Sequence, residues 1–432
     1  MNKFINFLIL IIFSALVYNC VLLISNFENY KNSYAFYIYF IPSFLFLFLI
    51  VISFFLDKEK RKVISIILVS IFSTLFIFEI FLFFLEKNII SSRNIPKQNL
   101  KEIVLNKRDL GEDIWLPIFP RSFINVRNKN FLPLSGISNK ETLLCIDHEG
   151  PIIYKSDRYG FRNEDSVWDN EIEIILLGDS FVHGSCKKDS DIFPGIIKDR
   201  FNKTLNLGIG STGPLLQFAI LKEYGKNIKP KKIFWFFYEN DLKDLEFEFK
   251  DSNLTKYFYN DNFSQKLVNN EKDFNNLKKE LSHKILFDKS ENDMFIKNQF
   301  KNLTNEIKKI LKLTRLRTKF SLVYGWQKSK SSKYLEDIYM KSKKIVSEWG
   351  GEIVIVYLPG FPSVKNDFEF KGRKVFFDAI EKNNIEVIDL LPVFKKSDDP
   401  KQLFGDHYTK LGNNLVAEKI IEFINSNTKK SY

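Results

Sequence analysis

Residues that bind metals are scarce in this sequence. Its 432 residues include four histidines and three cysteines. No grouping of Cys, His and Asp falls at metal-ligand spacing, so neither a metal nor a cofactor is expected. Internal repeats and low-complexity tracts are also missing. That excludes a repeat array and leaves room for one large or two ordinary domains. Acidic residues nearly vanish from the first part of the chain. Three long apolar stretches, 4–25, 34–56 and 63–85, contain a single one, Glu79.

Each stretch has about the 20 residues needed to cross a bilayer. Residues 1–88 are therefore read as a membrane anchor of three transmembrane helices. For the first stretch the alternative is a cleaved signal peptide. Residues 57–62 read DKEKRK, with four basic residues, whereas 26–33 carry one lysine and one glutamate. The positive-inside rule puts the basic loop in the cytoplasm. Three spans then leave the N-terminus inside and the chain after residue 85 outside. The formal charge is +12, a balance that can point to nucleic acid. The lysines are scattered and the N-terminus is membrane material, so the expected partner is the membrane, with no nucleic acid.

The soluble part divides further. Residues 89–170 read as a polar tether followed by an irregular β-rich lead-in. From 171 to 432, strand-like runs alternate with helical patterns, as in a parallel α/β sheet. Strand candidates are 173–177, 204–207, 232–237, 352–358 and 386–390. The clearest helices are 332–349, stopped by Gly350 and Gly351, and 410–425. An insertion at about 245–330 separates the third and fourth strands. In it Ile296, Phe300, Leu303, Ile307 and Ile310 recur at helical spacing, with Lys297, Lys301, Lys308 and Lys312 off the stripe. A small helical subdomain over one sheet edge is expected, its lysines forming a solvated face.

Residues 172–184 read IEIILLGDSFVHG. The apolar run suits a strand buried on both faces, and the Gly-Asp-Ser tip precedes a helical pattern. A serine on such a turn presents its hydroxyl at the carboxyl end of the sheet, where open α/β folds place ligands. Three further segments follow strands or precede the last helix. Residues 206–214, NLGIGSTGP, offer backbone N–H groups from a Gly-rich turn. Residues 238–242, YENDL, offer the Asn240 amide. Residues 405–413, GDHYTKLGN, offer His407 as a base.

In this order the motifs resemble the SGNH (GDSL-type) hydrolase and acyltransferase superfamily over about 171–425. The resemblance implies a three-layer α/β/α, flavodoxin-like parallel sheet. It implies Ser180 as the nucleophile, His407 as the general base, and an oxyanion hole from the N–H of Ser180, the Gly210–Ser211 turn and Asn240. Three positions depart from the pattern. Ser211 and Tyr238 stand where the family has glycine, and Phe404 stands three residues before the histidine, where the family has its acid. Asp406, next to His407, is the candidate acid. Asp398, Asp399 or a backbone carbonyl are the alternatives for orienting the ring. His183 reads as a packing or rim residue, and Glu239 and Asp241 as carboxylates that hold the turn.

The resemblance implies a membrane-anchored ester hydrolase or O-acyltransferase facing the bacterial periplasm. Proteins that join membrane spans to such a domain look like modifiers of cell-surface polysaccharide; lipid or small esters are the alternative substrates. The alternative class is a non-catalytic module that binds a glycan or organises a surface assembly. Cys145 and Cys186 both fall on the outer side, where disulfides persist. Their pairing would staple the lead-in to the nucleophile turn; two separate buried thiols are the alternative. Cys20 lies within the first stretch and reads as a packing residue.

The topology is testable directly. A reporter fused after Asn88 should behave as extracytoplasmic, and one fused within 57–62 as cytoplasmic. The reverse pattern would put the α/β domain in the cytosol.

Overall fold

The computed structural model describes residues 3–25, 34–91, 100–124, 131–147, 149–287, 304–311, 313–319, 330–365 and 371–429. They form two compact units. One takes the described residues of Met1–Lys97 and Lys289–Ser329, the other those of Gln98–Asp288 and Lys330–Tyr432.

The first unit contains three apolar helices, Lys3–Ser25, Tyr34–Ser53 and Lys58–Ser91. Leu16, Ile50 and Leu68 are buried among them. Three spans are expected from the sequence. Among the described residues one helix segment, Lys58–Leu85, is long and apolar enough to cross a membrane, and Phe7–Val21 and Phe40–Ser53 are shorter apolar segments. Glu79 has no exposed surface. A carboxylate in such surroundings needs partners. Its oxygens accept the backbone N–H groups of Arg315 at 2.9 Å and Leu316 at 2.8 Å. Those residues open the helix Thr314–Lys319, and the Arg315 guanidinium lies 3.6 Å away. This end of the insertion therefore packs with the apolar helices of its own unit. A stripe at helical spacing shows that a face is buried without naming the partner. Of that stripe, Ile296, Phe300 and Leu303 lie outside the described residues, as do Lys297, Lys301 and Lys312, and Ile307 is exposed.

The second unit is built on two sheets. The smaller joins β1 (Ile114–Trp115), β2 (Glu141–Asp147) and β3 (Gly150–Lys155) in that order, with β2 and β3 antiparallel. The larger contains β4 (Ile174–Leu177), β5 (Thr204–Asn206), β6 (Lys232–Tyr238), β7 (Glu352–Leu358) and β8 (Glu386–Asp389). Its order is β5-β4-β6-β7-β8 and every pairing is parallel. That is the flavodoxin-like order, with a switch point between β4 and β6.

Alternation along the strands explains the layers. Ile174, Leu176, Phe234, Phe236, Val354 and Val356 face one way. They share a core with Phe193 and Ile197 of the helix Phe193–Arg200 and with Val416 and Ile420 of the helix Lys410–Lys429. The intervening residues face the other way. Trp235 packs on Tyr339 of the helix Lys330–Ser347, and Phe237 on Phe376 of the helix Lys371–Lys382. The central strands β4, β6 and β7 are buried on both faces over most of their length, so their sequences are near-continuous apolar runs; the edge strand β8 is only partly buried.

The stretch read as a polar tether contains a helix, Leu100–Asp109. Val104 is fully buried and packs with Ile114, Leu143 and Leu286. One short apolar patch was enough to dock a segment whose average composition is polar.

Cys145 of β2 and Cys186 form a disulfide, with Cα atoms 5.6 Å apart and a sequence separation of 41. Closing a loop of that length contributes about 4 kcal/mol on the chain-entropy model. Replacing both cysteines by serine should lower the urea-unfolding free energy by an amount of that order. An unchanged unfolding midpoint would show that the cross-link adds nothing to stability.

Candidate active site

The turn after β4 is built by exclusion of space. A Cβ on Gly178 would lie 2.5 Å from Val182 Cγ2 and 3.1 Å from the Phe236 carbonyl. Only glycine lets the chain pass there. Asp179 then caps the single helical turn Ser180–His183, its carboxylate accepting the Phe181 N–H at 2.9 Å. Gly184 ends the turn in the left-handed region, with φ 82°. Ser180 is thereby left half-buried at the carboxyl end of β4, beside the switch point.

His407 reaches this serine from the other end of the chain. Its Nε2 lies 2.8 Å from Ser180 Oγ. The segment that carries it is a tight reversal: Phe404 bridges Tyr408, and the Gly405 N–H donates to the His407 carbonyl at 2.6 Å. The Tyr408 hydroxyl anchors the reversal by donating to the Pro359 carbonyl at 2.8 Å. Asn413 ties the last helix to the sheet layer, accepting the Phe193 N–H and donating to the Tyr408 and Thr409 carbonyls. The imidazole also lies against Phe181, with ring centroids 4.7 Å apart.

The carboxylate sought beside the base does not bond to it. Asp406 is exposed, and no hydrogen bond joins it to His407 among the described residues. Asp399 is engaged elsewhere, accepting the Lys401 N–H and the Gln402 amide. Phe404, three residues before His407, packs on Tyr408 and Phe394. The arrangement is a Ser–His pair. Burial lowers the affinity of His407 for a proton, and the charge of Asp406 partly restores it.

The oxyanion candidates are distributed over three turns. Ser180 supplies the first N–H of its helical turn. Gly210 and Ser211 follow β5, and Ser211 has φ 62°, the left-handed conformation that explains a glycine at this position in the resembled pattern. Asn240 follows β6 and is exposed. One of its amide N–H groups donates to Asp244 Oδ2 at 3.0 Å. Glu239 accepts from the hydroxyls of Tyr357 and Ser363, and Asp241 from the Tyr238 N–H, so both hold the turn.

No protein-family model matches the sequence, and no curated protein matches it either. Solved structures do. A lipase/acylhydrolase from Enterococcus faecalis is 12% identical, with a TM-score of 0.33, over 59% of this chain and 96% of its own. LAE5, an alpha/beta hydrolase enzyme from the metagenome of Lake Arreo, Spain, is 10% identical, with a TM-score of 0.33, over 58% and 94%. The psychrotrophic esterase EstA from Pseudoalteromonas sp. is 12% identical, with a TM-score of 0.29, over 60% and 98%.

Several residues that build the site went unnoticed in the sequence. Arg162, in the lead-in, is almost fully buried and donates to the carbonyls of His183, Gly184 and Lys187 at 3.3, 2.8 and 2.8 Å. Its Nε lies 2.8 Å from the Asp189 carboxylate. Asn163 bonds the backbone of Asn206 in both directions, and Asn206 donates to the Val182 carbonyl. Asp157 is buried and accepts from Asn163, Trp168, Tyr159 and Phe161. A cluster of polar residues in a segment without periodicity was the only available signal. His183 is buried between Phe119 and Tyr154, where burial above all, with the Arg162 charge, holds it down to about 3. It stays neutral and structural. Four carboxyl groups, Asp179, Asp241, Asp244 and Glu248, are also buried here, and burial pushes up Asp179, Asp241 and Glu248, the last to about 8. Among the described residues no group of His, Cys, Asp and Glu could hold a metal ion.

The pH dependence has a definite sign. His407 accepts a proton only when neutral, and its folded pKa lies below the ordinary imidazole value. A reaction that uses it as base should therefore keep its kcat/KM as pH falls past 6.5 and lose it only at lower pH. Asp406→Asn should move that limb further down while leaving the plateau within a few-fold. A loss on the order of 10⁴, as expected for a triad acid, would assign the acid to Asp406 after all.

Proposed function

We propose that this chain is a serine ester hydrolase or O-acyltransferase of the SGNH type that works through an acyl-enzyme. In this reading it is anchored in the bacterial cytoplasmic membrane, with the α/β domain on the extracytoplasmic side, and acts on acyl esters of cell-surface polysaccharide. The observation that carries the chemistry is the 2.8 Å approach of His407 Nε2 to Ser180 Oγ at the switch point of a parallel sheet. The Cys145–Cys186 disulfide supports an oxidising compartment. The apolar Lys58–Leu85 helix supports anchoring.

His407 takes the Ser180 proton as Oγ attacks the acyl carbon. The carbonyl oxygen becomes an oxyanion, met by the Ser180 N–H, the 210–211 backbone and the Asn240 amide. His407 gives its proton to the departing alkoxide, and an ester on Ser180 remains. Water or a sugar hydroxyl then adds, with His407 again as base, and Ser180 is released. Hydrolase and transferase differ only in that acceptor. That no carboxylate bonds to His407 among the described residues favours one other reading, a glycan-binding module without chemistry.

A fluorophosphonate probe separates the two. It should label Ser180 in the intact protein. Ser180→Ala should abolish labelling and ester cleavage with no change in thermal unfolding. His407→Ala should lose about as much, and the double variant little more, because members of one catalytic unit are non-additive. Full activity in Ser180→Ala would eliminate the proposed chemistry.

A further inference from the structure

We propose that Arg121 and Asp244 are positioning residues that hold the Asn240 amide toward the developing oxyanion. This rests on the reading of Asn240 as an oxyanion donor. Arg121 belongs to the short turn Pro120–Phe123, outside every motif that resembles a known family. Its guanidinium pairs with the Asp244 carboxylate and stacks on Phe247, 4.3 Å from the ring centre. Asp244 is buried and accepts one Asn240 N–H at 3.0 Å. An amide carries two N–H donors; the second makes no hydrogen bond among the described residues.

Two effects follow. Binding one N–H fixes the plane of the amide, so the other is aimed before substrate arrives. A bare carboxylate behind the donor would oppose negative charge on the substrate oxygen, and poorly solvated charges act strongly on one another. Arg121 offsets that charge, and its planar fork keeps the carboxylate oriented. The same turn presses on the second donor loop, since a Cβ on Gly210 would lie 3.0 Å from the Phe119 ring. The lead-in thus completes the oxyanion pocket.

The test is a double-mutant cycle on the full chain, read as the rate of Ser180 labelling by a fluorophosphonate and as p-nitrophenyl acetate hydrolysis. Arg121→Met should slow both about tenfold or more, and Arg121→Lys less. In an Asn240→Ala background, Arg121→Met should add less than about twofold. Equal losses in both backgrounds, or no loss from Asn240→Ala alone, would overturn the proposal and leave the Ser180 chemistry standing. Failure to label Ser180 in the unaltered protein would overturn both. If Arg121→Met does not fold, Arg121→Lys carries the cycle with the same criterion.

Discussion

A buried guanidinium holds the Ser180 turn of this protein. The turn Ser180–His183 is one helical turn long, and its carbonyls have no next turn to bond. From a segment outside the main sheet, Arg162 answers the His183 carbonyl and, just beyond the turn, those of Gly184 and Lys187. The Cys145–Cys186 bond crosses to the same loop from β2. Asn163 extends the connection to β5. An exposed serine hydroxyl on a tight turn needs a rigid support, and here the lead-in supplies it from behind. The lead-in is therefore part of the support of the Ser180 turn rather than a passive spacer.

Electrostatics around the turn follow from burial. Asp179 and Asp241 are withdrawn from water with few donors between them, so both prefer to hold a proton. Glu248 meets three backbone N–H groups at the start of the helix Pro214–Ile220, which opposes but does not outweigh its burial. Asp244 is paired with a cation, Arg121. The His407 ring sits against Phe181, with no carboxylate bonded to it among the described residues. Packing on Phe181 and a closed backbone reversal hold the ring. They do not stabilise its charged form, so a neutral imidazole is the resting state.

Much of this was legible in the chain itself. The central strands were readable because β4, β6 and β7 are buried on both faces and so form nearly unbroken apolar runs. β7 has the bounds its residues suggest, and the others agree to within a residue or two. Ser180, Asn240 and His407 were readable because strand ends in a parallel sheet share one rim, so order along the chain becomes proximity in space. The helix Leu100–Asp109 was not readable. Its propensity is ordinary, and it owes its place to Val104 finding a pocket formed by β1, β2 and a distant helix. The docking of residues 314–319 against Glu79 was not readable either, because periodicity marks a buried face but not what covers it.

Sequence alone thus determined the sheet, the order of its motifs and the meeting of Ser180 with His407 at the strand ends, since local patterning and parallel topology suffice for those. Tertiary structure decided which carboxylates reach the site and which do not. Asp406 is adjacent to His407 in the chain yet unbonded to it, while Asp244 and Arg121, 123 positions apart, meet behind Asn240. Hydrogen bonds and ion pairs act over a few ångströms and in definite directions. Only the folded backbone sets those distances.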